Sequence, residues 1–142
     1  MSGIVVGVDG SDHSRKALEW AVREAGATGK PLTVLAVHPV PRNHWTGDPE
    51  TYPTDAPETE TIRQAAEEAV QKAVGQVGGP GPTSVTVRAV TGVPARELVA
   101  ASADADLVVV GSRGGGGFAK MVLGSVANQV VSHAEAPVVV IR

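Results

Sequence analysis

Hydrophobic positions along the chain change their period several times, and each change predicts a new element. Apolar, mostly β-branched runs at Ile4–Val8, Leu32–Val37, Leu107–Val110 and Val138–Ile141 predict buried strands. Residues 84–90 instead alternate apolar and polar positions, which predicts a strand nearer a sheet edge. Between these runs, apolar residues recur at spacings of three and four, which predicts helices. The predicted order is therefore β-α-β-loop-α-β-α-β-loop-α-β.

This alternation of strands and helices predicts an α/β fold. We expect an open five-stranded parallel sheet of order 3-2-1-4-5, with helices on both faces. A chain of 142 residues predicts one domain, spanning residues 1–142. Ligands of such sheets bind outside the carboxyl ends of the strands, where the strand order reverses. Asp9, after the first strand, and Gly111, after the fourth, would then face one crevice.

Proline interrupts the pattern between the second strand and the second helix. Five prolines fall within residues 38–58, together with Trp45 and Tyr52. Proline at this density predicts a long surface loop, with a variable part at about 39–58. The two aromatic side chains either anchor this loop or stack on a ligand beneath it.

Composition narrows the class of protein. The formal charge of −3 gives no electrostatic case for nucleic acid, and no apolar run approaches the roughly 20 residues of a membrane helix. The absence of cysteine fits a reducing compartment, and the N-terminus resembles no signal peptide, so a cytoplasmic protein is expected. The four histidines share no ligand spacing, so no metal site is expected.

The stretch from Gly111 to Ser125 carries the candidate chemistry. Five glycines fall in its first seven residues, and it lies between a predicted strand and a predicted helix. Backbone N–H groups of such a loop and of the helix N-terminus can hold a phosphate, and Ser125 is the expected helix cap. A Walker loop has a lysine between its last glycine and the following serine or threonine, whereas Ser125 follows Gly124 directly, so a Walker loop is not favoured. A dinucleotide fingerprint fits poorly because it belongs in the first βα unit.

The spacing Gly111-x2-Gly114-x9-Gly124-Ser125 resembles the ATP-binding branch of the universal stress protein family. The segments Gly7–Ser11, Thr91–Pro94 and His133–Pro137 resemble other conserved parts of that family. The resemblance covers the chain except residues 39–60. It implies a Rossmann-like fold of the adenine nucleotide alpha hydrolase kind.

The resemblance also implies bound ATP. Mg²⁺ is expected only as an ion carried by the phosphates. Asp9 corresponds to the acidic residue that contacts adenosine, and the alternative is that it only caps the first helix or bends the turn. Val37 corresponds to the residue whose backbone contacts adenine, and Val110 with Gly111 to the wall beside the ribose. The phosphate cradle corresponds to four positions, Gly114, Gly124, Ser125 and Val126.

The last strand predicts a homodimer. Residues 137–142 would form a sheet edge with no charge in its interior, and such an edge is usually covered. Its own copy across a two-fold axis is the simplest cover, as in the family, and a monomer with a harmless short edge is the alternative.

Three functions remain open at this level. The first is an ATP-binding regulatory protein of the stress response, in which nucleotide changes the surface offered to a regulatory partner. The second is a slow ATPase or an adenylating enzyme that uses the same site, although the sequence shows no catalytic residues. The third is a dimeric scaffold that binds no nucleotide.

Overall fold

Parallel strands and helices follow one another in the predicted order. The computed structural model describes residues 3–39, 57–112 and 124–142. Its strands are β1 Ile4–Val8, β2 Leu32–Pro39, β3 Val85–Gly92, β4 Leu107–Gly111 and β5 Val138–Ile141. Its helices are α1 Asp12–Thr28, α2 Pro57–Val77, α3 Pro94–Ser102 and α4 Ser125–His133. The strands form one five-stranded parallel sheet of order β3-β2-β1-β4-β5, so the predicted fold and the edge position of β3 are confirmed.

The two faces of the sheet carry separate hydrophobic cores. Alternate residues of a strand face opposite sides. Ile4 and Val6 of β1 accordingly join α1 and α2 in one cluster, while Val5 joins α3 and α4 in the other. β1, β2 and β4 lie inside the sheet and supply most of the fully buried side chains. Both faces are covered by helices, as the near-continuous apolar runs predict.

The elements next to the proline-rich stretch are longer than the sequence pattern suggests. β2 continues to Pro39, which pairs in register with Gly92, and α2 begins at Pro57. A proline in the first turn of a helix costs no hydrogen bond, because that N–H has no partner within the helix. The remainder of the predicted loop, residues 40–56, lies outside the described residues, with Trp45 and Tyr52.

The buried stripe of α2 is narrower than its sequence predicts. Ala66, Val70 and Ala73 are buried, whereas Val74 remains 39% exposed. The helix covers an edge of the sheet, so only one line of its residues reaches the core. In the first turn of α2, Thr59 is buried, and its hydroxyl lies 3.0 Å from that of Thr91, within hydrogen-bond distance.

Candidate functional site

The sheet opens at its carboxyl edge between β1 and β4. β1 pairs with β2 as far as Val8–Ala36, but its pairing with β4 stops at Val6–Val109. α1, which follows β1, packs on one face of the sheet, and α4, which follows β4, packs on the other. A crevice at such a reversal is the usual ligand site of open α/β sheets.

A tight turn follows β1 and carries Asp9. The Ser11 amide donates to Asp9 Oδ1 at 2.9 Å, and Gly10 between them has a φ of 84°, which favours glycine. The Asp9 amide in turn donates to Ser14 Oγ at 3.2 Å. Asp9 is exposed, and the described residues offer no second partner for its carboxylate. One carboxylate oxygen therefore builds the turn, and the side chain remains accessible at the crevice.

Gly111 lets β4 approach the first turn of α1 closely. A methyl group on Gly111 would lie 2.9 Å from the carbonyl oxygen of His13 and 3.1 Å from its carbonyl carbon. Only a residue without a side chain fits against backbone at this distance. The close approach brings the turn after β1 and the end of β4 to one place.

Hydrogen bonds of the Ser112 peptide groups join the two ends of the stretch between residues 112 and 124. The Ser112 amide donates to the Ile141 carbonyl at 2.7 Å, and the Ser112 carbonyl accepts from the Gly124 amide at 2.6 Å. Ser112 is itself only 5% exposed. The two ends of the stretch between residues 112 and 124 are therefore joined, and the start of α4 is held beside the end of β4.

The cap of α4 differs from the sequence prediction. Gly124 is the N-cap, with an extended backbone, and its carbonyl accepts from the Asn128 amide at 2.9 Å. Ser125 is the first helical residue and is exposed, so the prediction that Ser125 caps the helix is wrong. The hydrogen bond from the Gly124 amide to the Ser112 carbonyl holds Gly124 beside the end of β4. The helix therefore starts one residue earlier than predicted, with Gly124 as its cap. No side chain among the described residues caps this helix, and the N–H groups of a first helical turn are the kind of donor that binds an anion.

The remaining predicted positions lie around the same edge, apart from one outside the described residues. The last pair between β1 and β2 is Val8–Ala36, so Asp9 and Val37 each follow that pair at the carboxyl edge. Val110 is buried in the core beneath α3 and α4, which leaves only its backbone to face a ligand. Val126 is partly buried against the same core. Gly114 lies outside the described residues.

Ionisable groups lie near the carboxyl edge and along α2. Within residues 3–39, 57–112 and 124–142, no cluster of three or more His, Asp or Glu could hold a metal ion. Nδ1 of His13, in the turn of α1 that packs on Gly111, is buried and has no hydrogen-bond partner there. The resolved pKa shifts belong to α2, where the hydrogen bond and charge of Arg63 lower the pKa of Glu60 and Glu60 raises that of Arg63.

The chain belongs to the universal stress protein family. The model of that family matches residues 1–142. The chain is 38% identical over 142 residues to a universal stress protein of Mycobacterium tuberculosis, and the alignment covers 99% of this chain and 48% of that one. The chain thus spans about half the length of the curated relatives it matches.

Solved structures of the family show the same fold, and some hold adenine nucleotides. The chain is 27% identical to a universal stress protein in complex with cAMP, with a TM-score of 0.68 and coverage of 99% of this chain and 96% of that one. It is also 27% identical to the universal stress protein of Archaeoglobus fulgidus in complex with dAMP, with a TM-score of 0.60 and coverage of 100% and 98%.

Sequence reasoning missed the residues that assemble the site through their backbone. The sequence pattern does not mark Ser112 or His13. The Ser112 carbonyl nevertheless accepts from the Gly124 amide, and the His13 carbonyl packs against Gly111. Neither residue type has a chemical signature for such a role. The glycine that ends β4 was the available signal, because a glycine at a strand end often marks a close backbone approach.

Proposed function

We propose that this chain is an ATP-binding regulatory protein of the stress response. The observation that carries the proposal is the convergence of three backbone segments at the carboxyl edge: the turn of Asp9, the end of β4 at Gly111, and the uncapped start of α4 at Gly124. The cAMP and dAMP in related structures support an adenine nucleotide as the ligand.

The proposed roles follow from the position of each residue. Asp9 and the backbone of Val37 lie together and would hold the adenosine end, with the backbone of Val110 and Gly111 beside the ribose. Gly124, Ser125 and Val126 begin α4, where N–H groups and the helix dipole favour phosphate, and Gly114 would complete the cradle. Mg²⁺ would arrive with the phosphates. The function would be regulatory, because bound ATP would change the surface that the chain offers to a partner in the cytoplasm.

We further propose a homodimer through β5. All four residues of Val138–Ile141 are only partly buried, although they lie against both cores, so the strand leaves an apolar edge in the described chain. Val131 of α4 adds an apolar side chain that is 48% exposed. Pairing of β5 with a second copy would cover this edge.

Calorimetric titration with Mg-ATP tests the nucleotide site. Two exposed serines on α4 give matched variants: Ser125→Asp puts a negative charge at the start of the helix, and Ser132→Asp puts the same charge near its end. Repulsion of phosphate should weaken ATP binding about tenfold or more in Ser125→Asp. The affinity of Ser132→Asp should stay within about twofold of wild type. Equal affinities in the two variants would remove α4 from the site, and no heat with wild-type protein at about 1 mM ATP would refute nucleotide binding.

A further inference from the structure

The groove between α3 and α4 has the composition of a binding surface and lies apart from the proposed nucleotide contacts. Its volume is about 430 Å³. Its lining consists of small and apolar residues of α3 together with three polar side chains: Ala95, Arg96, Val99, Ala100, Gln129 and His133. It contains none of the proposed ATP contacts. Ala95 in its lining is buried, whereas Arg96, Ala100, Gln129 and His133 are exposed.

The polar side chains of this groove have no partners within the chain. Arg96, Gln129 and His133 are exposed, and each makes neither a hydrogen bond nor an ion pair with any described residue. No lining residue is acidic, although the whole chain has more acidic than basic residues. The nearby carboxylate of Glu97 packs toward Gly92 instead, where an added methyl group would lie 2.9 Å from Glu97 Oε1. Charge complementarity therefore requires an occupant that brings its own negative charges.

The shape of the groove determines the kind of occupant. α3 and α4 each follow a strand of a parallel sheet, so they run in the same direction, and the lining residues cover a little more than one turn of each helix. Arg96 lies in the first turn of α3 and His133 at the last residue of α4, so the basic groups stand toward opposite ends of the groove. Ser102 Oγ accepts from the Glu135 amide at 2.9 Å, which holds the two walls together at one end. An open groove between two helices suits the side chains of a helix laid on it, whereas a small apolar ligand needs an enclosing cavity.

We propose that the groove between α3 and α4 docks an acidic amphipathic helix of a partner protein. Apolar side chains of that helix would lie on Ala95, Val99 and Ala100, and its carboxylates would meet Arg96 and His133. Gln129 and Val131 are two residues apart on α4, so they lie on different sides of the helix. Docking in the groove therefore leaves the exposed Val131 and the β5 edge free, and a dimer could carry one partner helix on each subunit.

A designed peptide tests this surface with the intact chain. The probe is a helix of roughly 15 residues, with leucines at spacings of three and four and glutamates beside them, and the control peptide has lysine in place of each glutamate. Addition of the acidic peptide should shift the amide resonances of the groove residues and leave those of Asp9–Ser14 unchanged. Arg96→Glu should weaken binding about fivefold, and added salt should weaken binding to the wild-type chain. The matched control is Arg23→Glu, an exposed arginine of α1 outside the groove, which should change the affinity less than twofold.

Several results would overturn the proposal. Equal binding of the lysine peptide, equal weakening by Arg23→Glu, or no shift at about 1 mM acidic peptide would each exclude an acidic helix. Saturable binding of decanoate without binding of the peptide would assign the groove to a small amphipathic acid instead. Ser125→Asp, which should weaken ATP binding, should leave peptide binding unchanged, so the two proposals can fail separately.

Discussion

Replacement of Gly111 by alanine tests the close approach that assembles the site. The new methyl group would lie 2.9 Å from the His13 carbonyl oxygen, whereas ordinary contacts begin at 3.4 Å, so one backbone must move by about 0.5 Å. Neither is free to move: the Ser11 carbonyl holds the Arg15 amide at 3.0 Å, and the amide after Gly111 is bound to Ile141.

The expected cost of this substitution follows from two opposing effects. Overpacking of a rigid contact costs about 1–3 kcal/mol, and loss of glycine's freedom in the unfolded chain returns about 0.4–1 kcal/mol. The free energy of unfolding should therefore fall by roughly 1–2 kcal/mol, which corresponds to a Tm lower by about 3–8 °C in a domain of this size.

Urea denaturation followed by circular dichroism measures this change, and Gly75→Ala is its control. Gly75 lies inside α2 with nothing within 4 Å of an added methyl group, so its alanine variant should gain about 0.5–1 kcal/mol. The sign of the effect should thus differ between two identical substitutions. A Gly111→Ala variant as stable as wild type would show that β4 and α1 do not meet as closely as described.

Three further predictions concern the first turn, the second helix and the sheet edge. Ser14→Ala removes a buried hydroxyl that accepts from the Asp9 amide, so urea unfolding should show a loss of about 1–2 kcal/mol, against less than about 0.5 kcal/mol for the exposed Ser132→Ala. Arg63→Gln removes the hydrogen bond and charge that lower the pKa of Glu60, so an NMR titration should show that pKa rising toward 4.5. The stabilisation from this pair is present above the ordinary pKa of Glu60 and disappears as the pH falls through its lowered value. An unchanged pKa of Glu60 in the variant would contradict the contact. Val139→Lys should convert the proposed dimer to a folded monomer in sedimentation analysis, whereas a variant that remains dimeric would place the interface elsewhere.

The sheet could be predicted from the sequence because its signals are local. β1 and β4 are short apolar runs between polar turns, and a parallel sheet covered on both faces requires such runs. The alternating residues of β3 likewise indicated an edge strand, because one side of an edge strand faces solvent. The strand order followed from the connections permitted between parallel strands.

The details of the candidate site could not be predicted because they depend on contacts distant in sequence. Ser125 has the residue type of a helix cap, but the hydrogen bond from Gly124 to Ser112 determines where α4 begins. The contact of Gly111 with His13 joins residues almost a hundred positions apart, and no local pattern encodes it. The proposed binding roles of Asp9, Val37 and the other positions rest on their placement at the carboxyl edge.

An amide-resolved NMR titration with Mg-ATP tests the nucleotide site most directly. We expect saturable shifts concentrated at three backbone segments: Asp9–Ser14, Gly111–Ser112 and Gly124–Val126. The resonances of the groove residues Arg96 and Gln129 should stay in place. Shifts confined to residues away from the carboxyl edge, or none at about 1 mM ATP, would contradict an adenine nucleotide site between β1 and β4.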